Sequence, residues 1–184
     1  MELYFLRHGK TVPRSKWSED PVTRPLSDAG VVEMAHETWI LARLGIAPDL
    51  ILTSPLECAQ QTAGIVASGL GLEDRVRTEP GLGRGFGMKK LRRLLRTHAR
   101  AGSIMLVGHD PQLSSVIRKL TGGHVVLSKG GLAHVHLAAR KSASAELVCL
   151  LQADKLAGLV RNHTSTPGEA ASDEVAEAAH EPAG

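Results

Sequence analysis

The sequence predicts an α/β fold: a mainly parallel sheet with helices on both faces. Three observations carry this. Short apolar runs rich in Leu, Ile and Val alternate with longer segments of helical periodicity. The chain has 184 residues and is 42% hydrophobic, enough for one domain with a real core. Aromatic residues make up only 3% while glycines number 19, so that core must be aliphatic and its connections tight.

The elements follow in order. Residues 2–6 read as a buried strand ending in Arg7-His8-Gly9. Residues 10–25 are polar, carry Pro13, Pro21 and Pro25, and read as a long loop. Ser27 then caps a helix through Val31, Met34, Trp39, Leu41 and Leu44 that stops at Gly45. Leu50–Thr53 is a second buried strand. Ser54-Pro55 has the form of a helix start, Ser as cap and Pro in the first turn, with the helix running to about Leu70. Val76–Thr78 is a weak strand. Residues 80–87 form a glycine-rich loop, read as a mobile flap, and 88–100 a strongly basic helix. Ile104–Val107 is a strand ending in Gly108-His109, and Asp110-Pro111 opens a helix that closes at Gly122-Gly123. Residues 132–138 and 146–151 read as late strands that can pair as a hairpin.

The chain divides into a folded body, 1–161, and an acidic Ala/Glu-rich tail, 162–184, expected to be disordered. The whole chain carries +3 and the tail −5, so the body carries +8. Stacking aromatics and nucleic-acid-binding motifs are missing, so an anionic substrate explains the basic body better than nucleic acid. No apolar run approaches the roughly 18–20 residues that span a bilayer. Two cysteines, Cys58 and Cys149, make no disulfide framework; a reducing cytoplasm is the simplest location. The sequence gives no oligomerisation signal. The basic helix reads first as a solvated face, and otherwise as a docking surface for an acidic phosphoprotein or for the tail.

In parallel α/β sheets ligands collect at the carboxyl ends of the strands. Three strands here end in polar residues: Arg7-His8, Ser54 and His109. An imidazole can be a nucleophile, and an arginine beside it suits a phosphoryl anion. His109 alone reads as a capping or core histidine; with Arg7-His8 in the same chain, catalysis is the better reading.

Several separated pieces resemble the histidine phosphatase superfamily and, within it, the SixA-like phosphohistidine phosphatase branch. They are Leu6-Arg7-His8-Gly9, Arg24-Pro25-Leu26-Ser27, Ser54-Pro55-Leu56 with Ala59, Gln61 and Thr62, Val107-Gly108-His109 with Pro111, and Ser128–Ala133. The resemblance implies a phosphoglycerate mutase-like fold and a phosphatase that needs neither metal nor cofactor. It implies His8 as nucleophile through a phosphohistidine intermediate, and Arg7 and His109 as stabilisers of the phosphoryl group. Arg24 and Ser54 would join them in binding phosphate. The substrate would be a phosphohistidine protein; a phosphate-containing small molecule is the alternative.

Two departures qualify this. The family usually has a second phosphate-binding arginine where this chain has Cys58, so the protein is either impaired, helped by a loop arginine (Arg14, Arg24 or Arg84), or only a phosphate- or phosphoprotein-binding module. Cys58 itself reads as a packed residue more readily than as a reactive thiol. Many phosphomonoesterases of the superfamily also carry a glutamate where this chain has Gly81, with Glu79 two residues away. Missing that acid favours N–P over O–P cleavage, because an imidazole leaving group protonates near neutral pH.

Overall fold

The computed structural model describes residues 1–139 and 145–156. Six strands form one sheet: β1 (Glu2–Arg7), β2 (Leu50–Thr53), β3 (Val76–Thr78), β4 (Ser103–Gly108), β5 (Leu132–His136) and β6 (Glu146–Leu151). Their order is β3-β2-β4-β1-β5-β6. β1 to β4 are mutually parallel, while β5 runs antiparallel to β1 and to β6. The sheet is therefore mixed but mostly parallel, and the late strands do form a hairpin.

Among the described residues these helices cover it: α1 (Asp28–Arg43), α2 (Glu57–Leu70), α3 (Met88–Thr97) and α4 (Gln112–Thr121). Alternation along the central strands assigns them to faces. Leu3 and Phe5 of β1 with Ile104 and Leu106 of β4 pack with Leu91, Leu94 and Leu95 of α3 and Leu113, Val116 and Ile117 of α4. Tyr4, Leu6, Met105 and Val107 face the other way, onto Met34 and Leu41 of α1 and Ala59, Ala63 and Val66 of α2. Strands buried on both faces must be apolar throughout, which is why these runs stand out in the sequence.

Some boundaries differ from expectation. Ser27 caps α1 as expected, accepting from the Gly30 amide at 3.1 Å. Ser54 does not cap α2; the helix begins at Glu57 with Leu56 before it, and the Ser54 oxygen accepts from the Leu56 amide at 3.3 Å while also lying 2.8 Å from His109 Nε2. α3 ends at Thr97 rather than residue 100, and β5 at His136 rather than 138. Loop 80–87 is not a free flap: Leu82 and Phe86 are buried in the core beneath α3. No helix among the described residues is long and apolar enough to cross a membrane. The acidic tail lies outside the described residues.

Because β1, β2 and β4 run parallel, Arg7-His8, Ser54 and His109 emerge on the same rim. The convergence expected from the strand ends is a consequence of this topology.

Candidate active site

The end of β1 is fixed by two later segments. The His8 amide donates to Gly108 O at 3.0 Å, which ties it to the end of β4. The Arg7 amide donates to Gly131 O at 3.0 Å, and the Gly130 amide is shared between Arg7 O and His8 O, at 3.1 Å each. Gly130 has φ +80, a conformation that strains any residue with a Cβ. Gly9 lies so close to α1 that a Cβ there would be 2.7 Å from Met34 Cγ. Its amide donates to Thr62 Oγ1 at 3.1 Å, and Thr62 in turn donates to Cys58 O at 2.7 Å. α2 is thereby clamped to the His8 turn.

His8 is 8% exposed. Its Nδ1 lies 2.8 Å from Gly9 O. A carbonyl can only accept, so Nδ1 carries the proton and Nε2 keeps its lone pair. Burial, reinforced by the charges of His109, Arg7 and Lys129 and only partly opposed by the Gly9 carbonyl, lowers the His8 pKa to about 4. The ring is therefore neutral across the physiological range. His109 lies with its ring centroid 5.0 Å from that of His8. Burial, then the Arg7 charge, also lowers its pKa. Its Nε2 sits 2.8 Å from the Ser54 hydroxyl, and Ser54 is fully buried. Ser54 thus holds the His109 ring in place.

An NMR titration checks the His8 tautomer and charge. Its imidazole 15N shifts are expected to stay those of a neutral, Nδ1-protonated ring from pH 8 down to about 5, and to move only toward pH 4. Titration near the unperturbed value of about 6.5 would contradict the geometry.

The Arg7 Nη1 donates to Leu127 O at 2.6 Å, while its Nε is buried without a partner. Arg24 also has a buried Nε without a partner. With Arg14, Trp17, Glu19 and Pro21 it lines a cavity of about 180 Å³ in the long loop. Cys58 is 5% exposed, with Sγ within 4.8 Å of a ring nitrogen of both His8 and His109. Burial pushes its thiol pKa up, against the pull of the Arg24 guanidinium. Cys58 is accordingly a packed thiol rather than an activated one. Of the loop arginines Arg14, Arg24 and Arg84, Arg24 is the one whose charge acts on Cys58; Arg14 lines the same cavity as Arg24 and is exposed, as is Arg84. The Glu79 carboxylate caps its own turn, accepting from the Gly81 amide at 2.7 Å.

Three contributors went unassigned in the sequence. Thr62 and Lys129 lie within motifs quoted for the resemblance, yet only the structure gives them a part, Thr62 bonded to Gly9 and Lys129 placing charge on His8. Glu37 carried no signal. It is 6% exposed on α1, with its carboxylate against Gly130 and Oε2 without a partner. Burial, with Glu33 adding to it and Lys10 opposing, raises its pKa to about 8. Of the other histidines, His134 and His136 bind Glu2 at the start of β1, each at 2.6 Å, at the opposite end of that strand from His8.

The chemistry available at this rim is that of an anion site with a nucleophile. One imidazole offers a lone pair, a second can donate a hydrogen bond, and guanidinium groups supply fixed charge. Residues 3–83 match the family model described as histidine phosphatase superfamily (branch 1). An uncharacterised protein of Picosynechococcus sp. (strain ATCC 27264 / PCC 7002 / PR-6) is 38% identical over 139 residues, which are 72% of this chain and 82% of that one. The protein histidine phosphatase SixA complexed with tungstate superposes with a TM-score of 0.75 at 20% identity, over 85% of this chain and 99% of that one. The α-ribazole phosphatase from Shigella flexneri gives 0.66 at 21% identity, over 83% and 97%. These two structural likenesses establish the phosphoglycerate mutase-like fold and leave the substrate open.

Proposed function

Since this chain belongs to the histidine phosphatase superfamily, and is in that sense a phosphatase, we propose that it hydrolyses the N–P bond of phosphohistidine on a protein, through a covalent intermediate on His8. The observation that carries this is the 2.8 Å contact between His8 Nδ1 and Gly9 O, which assigns the proton to Nδ1. It leaves Nε2 neutral and nucleophilic beside two potential phosphoryl ligands, Arg7 and His109.

In the first step Nε2 attacks phosphorus and the substrate's N–P bond breaks. The leaving imidazole takes a proton from solvent and departs neutral, while the phosphorylated His8 ring keeps its Nδ1 proton as an imidazolium. Arg7 balances the equatorial oxygens. His109, held by Ser54, donates a hydrogen bond to the same group, and the incoming dianion strengthens that donor by raising its pKa. Water then attacks phospho-His8, releasing inorganic phosphate and returning the lone pair to Nε2. Arg24 would supply the charge that Cys58 does not, since it is the loop arginine whose field reaches Cys58. The basic body suits an acidic phosphoprotein. Glu79 spends a carboxylate oxygen on the Gly81 amide, which leaves it poorly placed to protonate an alcohol and favours N–P over O–P substrates.

The test is trapping with labelled phosphohistidine peptide and an alkaline quench, because acid destroys the phosphohistidine intermediate. Label is expected on the wild type and none on His8→Ala, whose kcat falls by roughly 10⁴-fold or more, as for other lost nucleophiles. Faster turnover of sugar phosphates than of the peptide would instead make this a small-molecule phosphomonoesterase. Cys58 favours a second reading, a binding module: peptide binding with no label and no turnover would establish it.

A further inference from the structure

The exchange of arginine for cysteine does more than remove a clamp. It completes a set of three donors. His8 reaches the pocket from the end of β1, Cys58 from the first turn of α2 and His109 from the end of β4. A ring nitrogen of each histidine and the Cys58 sulfur all lie within 4.8 Å of one another. Two imidazoles and a thiolate are a borderline-soft set, suited to zinc rather than to magnesium or calcium. Tetrahedral zinc with such ligands holds its donor atoms roughly 3.5 Å apart, so a contraction of about 1 Å closes the group.

The second shell is already in place. The His8 Nδ1 proton is donated to Gly9 O, the arrangement that orients a metal-binding imidazole through its other nitrogen. The Ser54 hydroxyl orients His109 in the same way. With arginine at position 58 the group could not exist, because a guanidinium repels a cation and offers it no lone pair.

We propose that His8, Cys58 and His109 form an inhibitory site for a zinc-class divalent cation. The ion takes the Nε2 lone pair of His8, the sulfur of Cys58 and a ring nitrogen of His109, leaving a fourth position open to water. Binding releases the Cys58 thiol proton to solvent, with no change of oxidation state. The ion occupies the lone pair that would attack phosphorus, so hydrolysis stops while it is bound. The positive charge of Arg7 and Arg24 works against a dication, which makes the site weaker than closed four-ligand zinc centres and lets a chelator empty it. The site depends on the geometry of three side chains and not on which phosphate ester or phosphoramidate the pocket accepts.

Cobalt is the probe, because a cobalt–thiolate bond absorbs in the near ultraviolet and reports sulfur ligation without any assay of activity. Reduced full-length protein titrated with Co²⁺ is expected to give a charge-transfer band that saturates at one ion per chain and is displaced by Zn²⁺. Cys58→Ser abolishes the band. His8→Ala and His109→Ala weaken cobalt affinity by more than the roughly 10–100-fold seen for second-shell changes. Cys149→Ser, which alters the other cysteine, retains it. Where turnover is measurable, Zn²⁺ suppresses it over the same concentration range and a chelator restores it. No band, a band that survives in Cys58→Ser, or one lost in Cys149→Ser overturns the proposal. A band with these properties on a protein that hydrolyses nothing would uphold the metal site while sinking the catalytic reading.

Discussion

Cys58→Arg raises kcat/KM for phosphohistidine peptide by roughly 10²–10³-fold, the usual worth of one well-placed donor to a developing oxyanion. The reasoning starts from position. The Cys58 sulfur already faces the two histidine rings, so a longer side chain at that point extends into the space a phosphoryl group would occupy. The new guanidinium would meet an anion when substrate binds. Arg24 decides how much of the gain appears. Its charge already acts on Cys58, so the two cations compete for one anion. Arg24→Ala in the wild type should therefore cost more than Arg24→Ala in the Cys58→Arg protein, a coupling that a double-mutant cycle measures. Unchanged or lower kcat/KM in Cys58→Arg would show that position 58 does not limit phosphate binding.

Glu37→Gln stabilises the fold by roughly 3–5 kcal/mol at pH 8.5, and by much less at pH 5. Glu37 has a pKa near 8 in the folded protein because it is buried beside Glu33 with only Lys10 opposing. In the unfolded chain it titrates near its ordinary value of 4.5. Between those limits the unfolded state has released the proton while the folded state still holds it. Stability is therefore full below about pH 4.5 and declines as pH rises to about 8. Glutamine cannot ionise and removes that slope. The depressed pKa values of His8 and His109 act the other way, costing stability as pH falls below the ordinary histidine range near 6.5. Urea unfolding compared between pH 7 and 8.5 thus isolates Glu37, and parallel curves for wild type and Glu37→Gln would refute the assignment. The carboxylate lies against Gly130, whose amide holds both Arg7 O and His8 O.

The parts of this molecule that the sequence announces are those buried on both faces or punctuated locally. β1, β2 and β4 are uninterrupted apolar runs because helices cover both sides of them. The Ser27 cap and the Gly71 and Gly122 helix ends are local signals, and the structure places αL glycines at both ends. The errors have a common origin in contacts between distant segments. Ser54-Pro55 has every local mark of a helix start, yet His109 claims the serine hydroxyl and the helix opens three residues later. Loop 80–87 looks free by its glycines, yet Leu82 and Phe86 anchor it. Glu37 reads as one more polar residue on an amphipathic helix until Gly130 closes over it. For the candidate site, Arg7, His8, Ser54 and His109 are legible from their positions at strand ends. Thr62 and Lys129 are not, because a hydrogen bond and a field have no sequence pattern.

The central place of β1 has a consequence for how the protein is made. Glu2 pairs with Ser103 on one side and His136 on the other, so β1 finds its sheet neighbours only after about a hundred further residues have been made. Until then Leu3 to Leu6 form an apolar segment with no sheet to enter, a natural client for chaperones. A nascent chain stopped before Ser103 cannot build the middle of the sheet at all. Nor can it place His8, whose setting requires Gly108 and Gly130. His8 is thus set by residues that follow it by a hundred positions or more, and pairings of such long sequence separation are slow to form.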